Sequence, residues 1–173
     1  SFADARNYCL NQVPKGNNSF LFWCDADDVV QGPEKMRGVV NMMIQNNIAS
    51  VFVPYWYLVE LDEHGKVKEI LIEHKRERLI RNDGAFKWVG MLHETLIEQR
   101  TENIIKIQVK DFIIVHLSDT TRMETAIDRN VDILEKQAAK EQHKDPRTLV
   151  YLARAYTDKG KMTKTATEQK LFF

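Results

Sequence analysis

Apolar residues recur along the chain with periods that separate helices from strands. Over residues 2–13 they fall on one face at helical spacing, which predicts an amphipathic helix, and loop-forming residues 14–19 follow it. The continuous apolar run at 20–24 predicts a fully buried strand. A proline at the start of the next helical pattern predicts a second helix over residues 33–46.

The middle of the chain carries strand patterns rich in β-branched and aromatic residues. The turn-forming residues 62–65 separate two of these patterns and predict a β-hairpin. The predicted strands cover residues 50–62, 66–73, 77–82 and 104–116. Strands interleaved with helices predict an α/β fold.

Charged helical patterns replace the strand patterns towards the C-terminus. We expect a helix over residues 121–142, a second helix that starts at Pro146 and stops at 158–160, and a third helix beyond this stop. Two helices joined by a short glycine-bearing turn form an αα-hairpin, the unit of helical repeats. The sequence therefore predicts an α/β domain over residues 1–118 and a helical-repeat segment over 119–173.

The composition excludes several classes of protein. Hydrophobic residues make up 43% and charged residues 29% of the chain, which is enough apolar surface to fold. Lys plus Arg number 25, as do Asp plus Glu, so no net charge attracts nucleic acid or an anionic membrane. No apolar run is long enough for a membrane span and no signal peptide is visible, so we expect a cytoplasmic protein. Cys9 and Cys24 fit this reducing compartment as buried apolar residues.

Three acidic residues, Asp25, Asp27 and Asp28, come directly after the first predicted strand. The carboxyl end of such a strand is where open α/β sheets bind ligands. Asp25 and Asp27 project to the same side if the strand pleat continues, and a divalent cation between them relieves their repulsion. Mn²⁺ or Mg²⁺ bound in this way bridges to phosphate oxygens, which predicts a nucleotide diphosphate as the ligand. The same acids are equally compatible with a solvated turn that caps the following helix.

Several short motifs surround these acids in a fixed order. Residues 2–7 read Phe-Ala-Asp-Ala-Arg-Asn, residues 78–81 read Arg-Leu-Ile-Arg, and residues 88–94 read Trp-Val-Gly-Met-Leu-His-Glu. Together with Asp25-Ala-Asp27, this order resembles the family 2 glycosyltransferases of the GT-A fold. The closest likeness is to a bacterial and phage branch with tetratricopeptide-like helices behind the catalytic domain. The resemblance covers essentially the whole chain. It implies that residues 1–118 form a GT-A-like domain, a mixed sheet with flanking helices.

The resemblance implies transfer of a sugar from a nucleotide-diphosphate donor to a saccharide or protein acceptor, with inversion at the anomeric carbon. Asp25 and Asp27 match the pair that holds the donor through Mn²⁺ or Mg²⁺, and His116 is a further candidate metal ligand. Glu94 matches the general base that takes the proton of the acceptor hydroxyl, and His93 is a candidate to orient Glu94 or contact the donor. The other candidate donor-binding residues are Arg6, Asn7, Arg81 and Trp88.

Several of these residues also have a purely structural interpretation. Leu79 and Arg81 share one strand face, which favours Arg81 as a functional residue, whereas Arg78 ends a charged run that is typical of a solvated face. Arg6 also suits a surface ion pair of little energetic value. His116 ends an apolar strand and equally suits a core or edge histidine.

One departure from the family pattern has two possible explanations, a truncated segment or a different function. Family members begin with a strand–loop–strand unit that binds the nucleotide base, and nothing like it occurs here, so we expect a segment truncated at its N-terminus. The same departure suggests a non-catalytic scaffold that binds carbohydrate or protein on a degenerate transferase fold. The αα-hairpin cannot bury its own apolar face and must pack on the α/β domain, on further repeats or on a partner, including a second copy of the chain. We expect no nucleic-acid partner, because the chain has no basic patch with interleaved aromatic residues.

Overall fold

The computed structural model describes residues 1–16, 18–100, 104–117 and 123–170. Over these residues the chain forms mixed α/β structure, which confirms the predicted α/β class. The elements in chain order are α1 (Phe2–Gln12), β1 (Phe20–Phe22), β2 (Asp28–Gln31), a 3₁₀ turn (Pro33–Lys35), α2 (Met36–Gln45), β3 (Ile48–Leu61), β4 (Val67–Arg81), β5 (Phe86–Val89), β6 (Thr95–Glu98), β7 (Ile105–Gln108), β8 (Ile113–His116), α3 (Met123–Lys140) and α4 (Pro146–Lys170). None of the helices in the described part has the length and apolar character that a membrane crossing requires.

The described residues form two compact units. The first combines Ser1–Asn7 and Trp88–Thr95 with the helices α3 and α4. The second combines Tyr8–Lys87 with the described residues of Leu96–Ser118. The predicted domain boundary between residues 118 and 119 lies outside the described residues, so that division stays a prediction.

A mixed sheet organises the second unit. Its strand order is β1-β4-β3-β8-β2, and β7 also pairs with β3. β3 and β4 form the predicted antiparallel hairpin, in which Ser50 pairs with Ile80 and Leu61 pairs with Val67. β8 lies parallel to β3, and β2 lies antiparallel to β8. β5 and β6 form a separate two-stranded sheet.

The first half of β3 is buried on both faces because its apolar side chains occupy successive positions. Val51 packs in one hydrophobic cluster with Met43 of α2. Ala49 packs in a second cluster with Ile80 of β4 and with Phe86. Complete burial of an aliphatic or aromatic side chain stabilises the fold by about 1.5–3 kcal/mol. A slip in register would move the apolar side chains of β3 out of both clusters, so the two clusters together fix the register of β3.

Hydrogen bonds in the first unit hold the segment between β5 and β6. Asn7 Nδ2 donates to the carbonyl oxygen of Trp88 at 2.9 Å, and Asn7 Oδ1 accepts from the Trp88 N–H at 2.9 Å. The Phe2 N–H donates to the carbonyl oxygen of Met91 at 3.2 Å. The Met91 N–H donates in turn to Oε1 of the buried Gln137 on α3 at 2.9 Å. The start of α1, this segment and α3 are therefore joined by direct hydrogen bonds.

Several predicted elements differ from the observed ones. β1 is a partly exposed edge strand and not a fully buried one, because β4 is its sole partner among the described strands. β4 is one strand from Val67 to Arg81, since it pairs with β3 along its length. The predicted strand over 104–116 is divided into β7 and β8. The helix stop predicted at 158–160 is wrong, because α4 continues through Gly160, whose cost of about 1 kcal/mol relative to alanine does not end a long helix.

Other differences concern short elements and the cysteines. The sequence pattern did not predict β2, β5 or β6, since strands of four residues are too short to show a period. The helical hairpin consists of α3 and α4, which pack together around a turn at 141–145, and residues 171–173 lie outside the described part. Cys9 and Cys24 are both exposed free thiols and not buried.

Two glycines provide a matched test of this fold. Gly32 has a φ of 74°, and a Cβ added to it would lie 2.9 Å from the carbonyl oxygen of Asp111. We expect Gly32→Ala to lower the free energy of unfolding by about 1–3 kcal/mol, because alanine fits neither this backbone nor this space. Gly38 lies within α2 with nothing near its added Cβ, so Gly38→Ala is expected to raise stability by about 0.5–1 kcal/mol. Urea denaturation measures both changes, and effects of the same sign would contradict the packing described.

Candidate functional site

Asp28 lies directly opposite His116, because β2 pairs with β8 in the second unit. A tight turn precedes β2. The Asp28 N–H donates to the carbonyl oxygen of Asp25 at 3.0 Å, and the Asp25 N–H donates to Asp28 Oδ2 at 2.9 Å. The Leu117 N–H donates to the carbonyl oxygen of Asp27 at 2.9 Å, which extends the pairing beyond β8. The acidic run is thus fixed between a turn and a strand pair.

The carboxylate of Asp28 is fully buried and has four protein partners. Its Oδ2 accepts from the Asp25 N–H and lies 3.2 Å from Nη1 of Arg78. Its Oδ1 accepts from the Tyr55 hydroxyl at 3.1 Å and lies 3.3 Å from Nδ1 of His116. A carboxylate offers about four lone-pair positions, so the protein alone satisfies Asp28.

Arg78 is the cation that neutralises Asp28. It is 2% exposed, and its guanidinium carbon lies 3.8 Å from the ring centroid of Trp23 and 4.4 Å from that of Tyr55. Burial lowers the pKa of Arg78, and the negative charge of Asp28 opposes this shift. Burial also raises the pKa of Tyr55, with the charge of Asp28 acting in the same direction. Tyr55 therefore keeps its proton, and its hydroxyl donates a hydrogen bond to Asp28.

His116 is held on two sides and lies beside an exposed carboxylate. Asp28 contacts its Nδ1, and the ring of Tyr57 stacks on it at 5.5 Å with an interplanar angle of 3°. Ligand atoms of Asp27, Asp28 and His116 lie within 4.8 Å of one another. Asp27 is 53% exposed, and its Oδ1 lies 3.7 Å from the same Nδ1 that Asp28 contacts. This donor set fits a divalent cation, with Asp27 and His116 suited to ligate it and Asp28 suited to orient His116.

This group differs from the predicted metal pair. Asp25 lies outside it and Asp28 lies within it, whereas the sequence interpretation paired Asp25 with Asp27. The strand pleat assumed for that pair does not continue, because β1 ends at Phe22 and a turn follows. Asp25 Oδ2 instead lies 3.9 Å from Nη1 of Arg78.

Four other candidate residues meet within the first unit. Arg6 Nε lies 2.5 Å from Oε1 of Glu94, and both side chains are largely buried. The Arg6 guanidinium also lies 5.1 Å from the ring centroid of Trp88. Asn7 joins this group through its two hydrogen bonds to the Trp88 backbone. Trp88 is 7% exposed, so its ring offers little open surface to a sugar.

His93 neighbours Glu94 in the chain but makes different contacts. Its φ is 54°, in the left-handed region, where a residue other than glycine is under strain. Its ring stacks on Tyr151 of α4 at a centroid distance of 4.1 Å. Arg147 Nη2 donates to the His93 carbonyl oxygen at 3.0 Å.

Arg81 contacts a neighbouring loop and strand end. Its Nη2 donates to Asn47 Oδ1 at 2.8 Å and to the Ile48 carbonyl oxygen at 3.1 Å. The cation beside the aspartates is Arg78, which the sequence interpretation assigned to a solvated face. No local sequence signal indicates this, because the burial of Arg78 depends on the register of β3 with β4.

The sequence reasoning also missed Tyr55 and Trp23 as neighbours of the acidic site. Tyr55 lies in the strand predicted over residues 50–62, and its hydroxyl contact with Asp28 depends on the pairing of β3 with β8. Trp23 precedes the acids in the chain, and its ring covers Arg78. No local pattern predicts either contact, because each joins segments that are distant in sequence.

Comparison with known proteins adds no family to this picture. No protein-family model matches the chain, and no curated protein matches it. The resemblance to family 2 glycosyltransferases therefore depends on the order of the short motifs.

The buried ion pair gives a stability test. We expect Asp28→Asn to lower the free energy of unfolding by about 3–5 kcal/mol, because it leaves the buried Arg78 without its main counter-charge. Asp27→Asn is the matched control, and its half-exposed side chain predicts a change within about 0.5 kcal/mol. Denaturation in urea with a chelator present compares the variants without any metal effect. Equal small losses would mean that Asp28 does not support the fold.

Proposed function

We propose that the chain is the catalytic part of an inverting, metal-dependent glycosyltransferase built on a GT-A-like domain. It transfers a sugar from a nucleotide-diphosphate donor to an acceptor hydroxyl. The observation that carries the proposal is the grouping of Asp27, Asp28 and His116 within 4.8 Å, in the acidic motif on which the family resemblance also depends. The neutral imidazole of a histidine beside a carboxylate suits Mn²⁺ better than Mg²⁺.

The donor half of the reaction needs positive charge at the diphosphate. Asp27 and His116 would hold Mn²⁺ or Mg²⁺, and the ion would supply the Lewis acidity that offsets charge on the departing diphosphate. Asp28 and Tyr57 keep the His116 ring in one orientation, which lowers the entropy lost when the ion binds. Arg78 is buried against Asp28, so its role is to support this arrangement and not to contact phosphate.

The acceptor half needs a base. In this proposal Glu94 accepts the proton of the acceptor hydroxyl while the new bond to the anomeric carbon forms and the bond to the diphosphate breaks. The contact with Arg6 holds the Glu94 carboxylate in a defined position. Glu94 enters the proposal through the motif at 88–94, and the ion pair with Arg6 is compatible with that role.

Metal binding tests the carrying observation directly. Titration of the intact chain with Mn²⁺, followed by electron paramagnetic resonance of the free ion, is expected to give one bound ion per chain. Asp27→Ala and His116→Ala are each expected to weaken the affinity about tenfold or more, as loss of a ligand does in metal sites. Glu94→Gln is the control and should bind Mn²⁺ like the unmodified chain. An affinity that neither ligand variant changes would remove the basis of the proposal.

Turnover measurements distinguish the proposed metal-binding role of Asp27 from the proposed role of Glu94 as general base. With Mn²⁺ and a panel of UDP- and GDP-sugars, we expect donor hydrolysis or transfer by the intact chain, and Asp27→Ala is expected to lose donor binding. Glu94→Gln is expected to bind the donor normally while its rate falls by about 10²–10⁴-fold, the usual contribution of a general base. Equal loss of binding in both variants would contradict the assigned roles. Normal Mn²⁺ binding with no turnover of any donor would favour the non-catalytic scaffold.

A further inference from the structure

A cavity of about 210 Å³ lies within the first unit, between the segment that ends β5 and the two C-terminal helices. This volume is below the roughly 300–1,000 Å³ of pockets for drug-sized ligands, so it suits one small ring-sized group. The side chains that matter for its chemistry are His93, Gln137, Glu141, Asp145, Arg147 and Tyr151.

A buried polar network fixes the floor of this cavity. Gln137 is 8% exposed, and its Oε1 accepts from the Met91 N–H at 2.9 Å. Its Nε2 donates to Thr148 Oγ1 at 2.8 Å and to Glu141 Oε1 at 2.9 Å. The Thr148 hydroxyl is 3.3 Å from Asp145 Oδ2 and donates to it. Gln137 joins α3 to the Met91 segment and to Thr148 of α4, so this side of the cavity is largely preformed.

An aromatic wall and a strained residue form the opposite side. The His93 ring stacks on Tyr151, and the Arg147 guanidinium lies 5.5 Å from the Tyr151 ring centroid. Arg147 also donates to Thr95 Oγ1 and to the His93 carbonyl oxygen, which holds His93 at its positive φ. Strain of this kind persists where the surroundings impose it and is concentrated at functional sites.

The charges of the lining select the ligand. Two carboxylates, Glu141 and Asp145, line the cavity against one guanidinium, that of Arg147. This excess of negative charge disfavours a diphosphate or another anion. Carboxylate, amide and hydroxyl groups beside an aromatic wall instead suit a neutral group that carries several hydroxyls, since each hydroxyl both donates and accepts.

We propose that this cavity binds one sugar unit of a neutral saccharide acceptor, so that the helical hairpin determines acceptor specificity. That the sugar belongs to an acceptor rests on the proposed function. That the ligand is a neutral sugar rests on the cavity itself. His93 lines the cavity and precedes Glu94, the proposed base, so the wall of the cavity and the base belong to one chain segment. A cavity of about this volume favours one sugar ring over an extended peptide.

Two tyrosines on α4 give a matched pair of variants for the test. Tyr151 forms the aromatic wall, whereas Tyr156 is 46% exposed and lies outside the lining. Saturation-transfer NMR on the intact chain is the assay, with the methyl glycosides of glucose, galactose and N-acetylglucosamine as probes and glucuronic acid as the anionic comparison. We expect at least one neutral glycoside to bind, and the anion to bind more weakly than methyl glucoside.

Tyr151→Ala is expected to weaken glycoside binding about tenfold or more, as loss of an aromatic contact does, while Tyr156→Ala leaves it within about twofold. Circular dichroism checks that Tyr151→Ala is folded. If Tyr151→Ala does not fold, Glu141→Gln is tested in its place. We expect Glu141→Gln to reduce the difference in affinity between methyl glucoside and glucuronic acid. No binding by any neutral glycoside, or equal losses in the two tyrosine variants, would overturn the inference.

The Mn²⁺ titration separates this inference from the proposed function. Both tyrosine variants are expected to bind Mn²⁺ like the unmodified chain, because the metal ligands lie in the other unit. Glycoside binding without Mn²⁺ binding would support the cavity as a saccharide site and contradict the proposed transferase function. Mn²⁺ binding without glycoside binding would defeat the cavity assignment alone.

Discussion

The second unit depends on the buried pair of Arg78 and Asp28. Removing both charges from water costs several kcal/mol for each ion, and the contacts around the pair offset this cost. Aromatic rings cover the guanidinium, and protein donors fill the carboxylate. The partners come from the segment after β1 and from β2, β3, β4 and β8, so one ion pair joins five parts of the chain. A loss at either charge therefore affects the whole sheet and not one loop.

Strand alternation keeps this polar cluster on one side of the sheet. Asp28 pairs with His116, so their neighbours Val29 and Val115 face the other way. Those two valines line an apolar groove together with Trp56, on the face away from the acids. The polar cluster thus lies on the same face of the sheet as Val30 and Ile114, which pack in the first hydrophobic cluster, and the groove lies on the opposite face. The edge position of β2 is what exposes Asp27 to solvent beside this cluster.

How far the sequence predicts the structure depends on the range of each contact. The hairpin of β3 and β4, the first two helices and the helical C-terminus follow from local periodicity, and the structure has them. Asp27 is predicted as a metal ligand from its position after a strand and His116 as a further candidate ligand, and their ligand atoms lie close together. The exchange of Asp25 for Asp28 and the burial of Arg78 were not predictable locally, because both depend on the register of β2 with β8 and of β3 with β4. The continuity of α4 through Gly160 depends on helix length, which a single-residue signal does not convey.

The side chain of Asn7 has a consequence for the behaviour of the chain in concentrated solution. It bonds both the N–H and the carbonyl oxygen of Trp88, as a neighbouring strand would, although it belongs to a helix. β5 pairs with β6 alone among the described strands, so its other edge would otherwise present free backbone groups. Such an edge is a template for pairing with a second molecule and for aggregation. One amide side chain thus works as a cap against unwanted strand addition, a protective role that an exchange for leucine of similar size would remove.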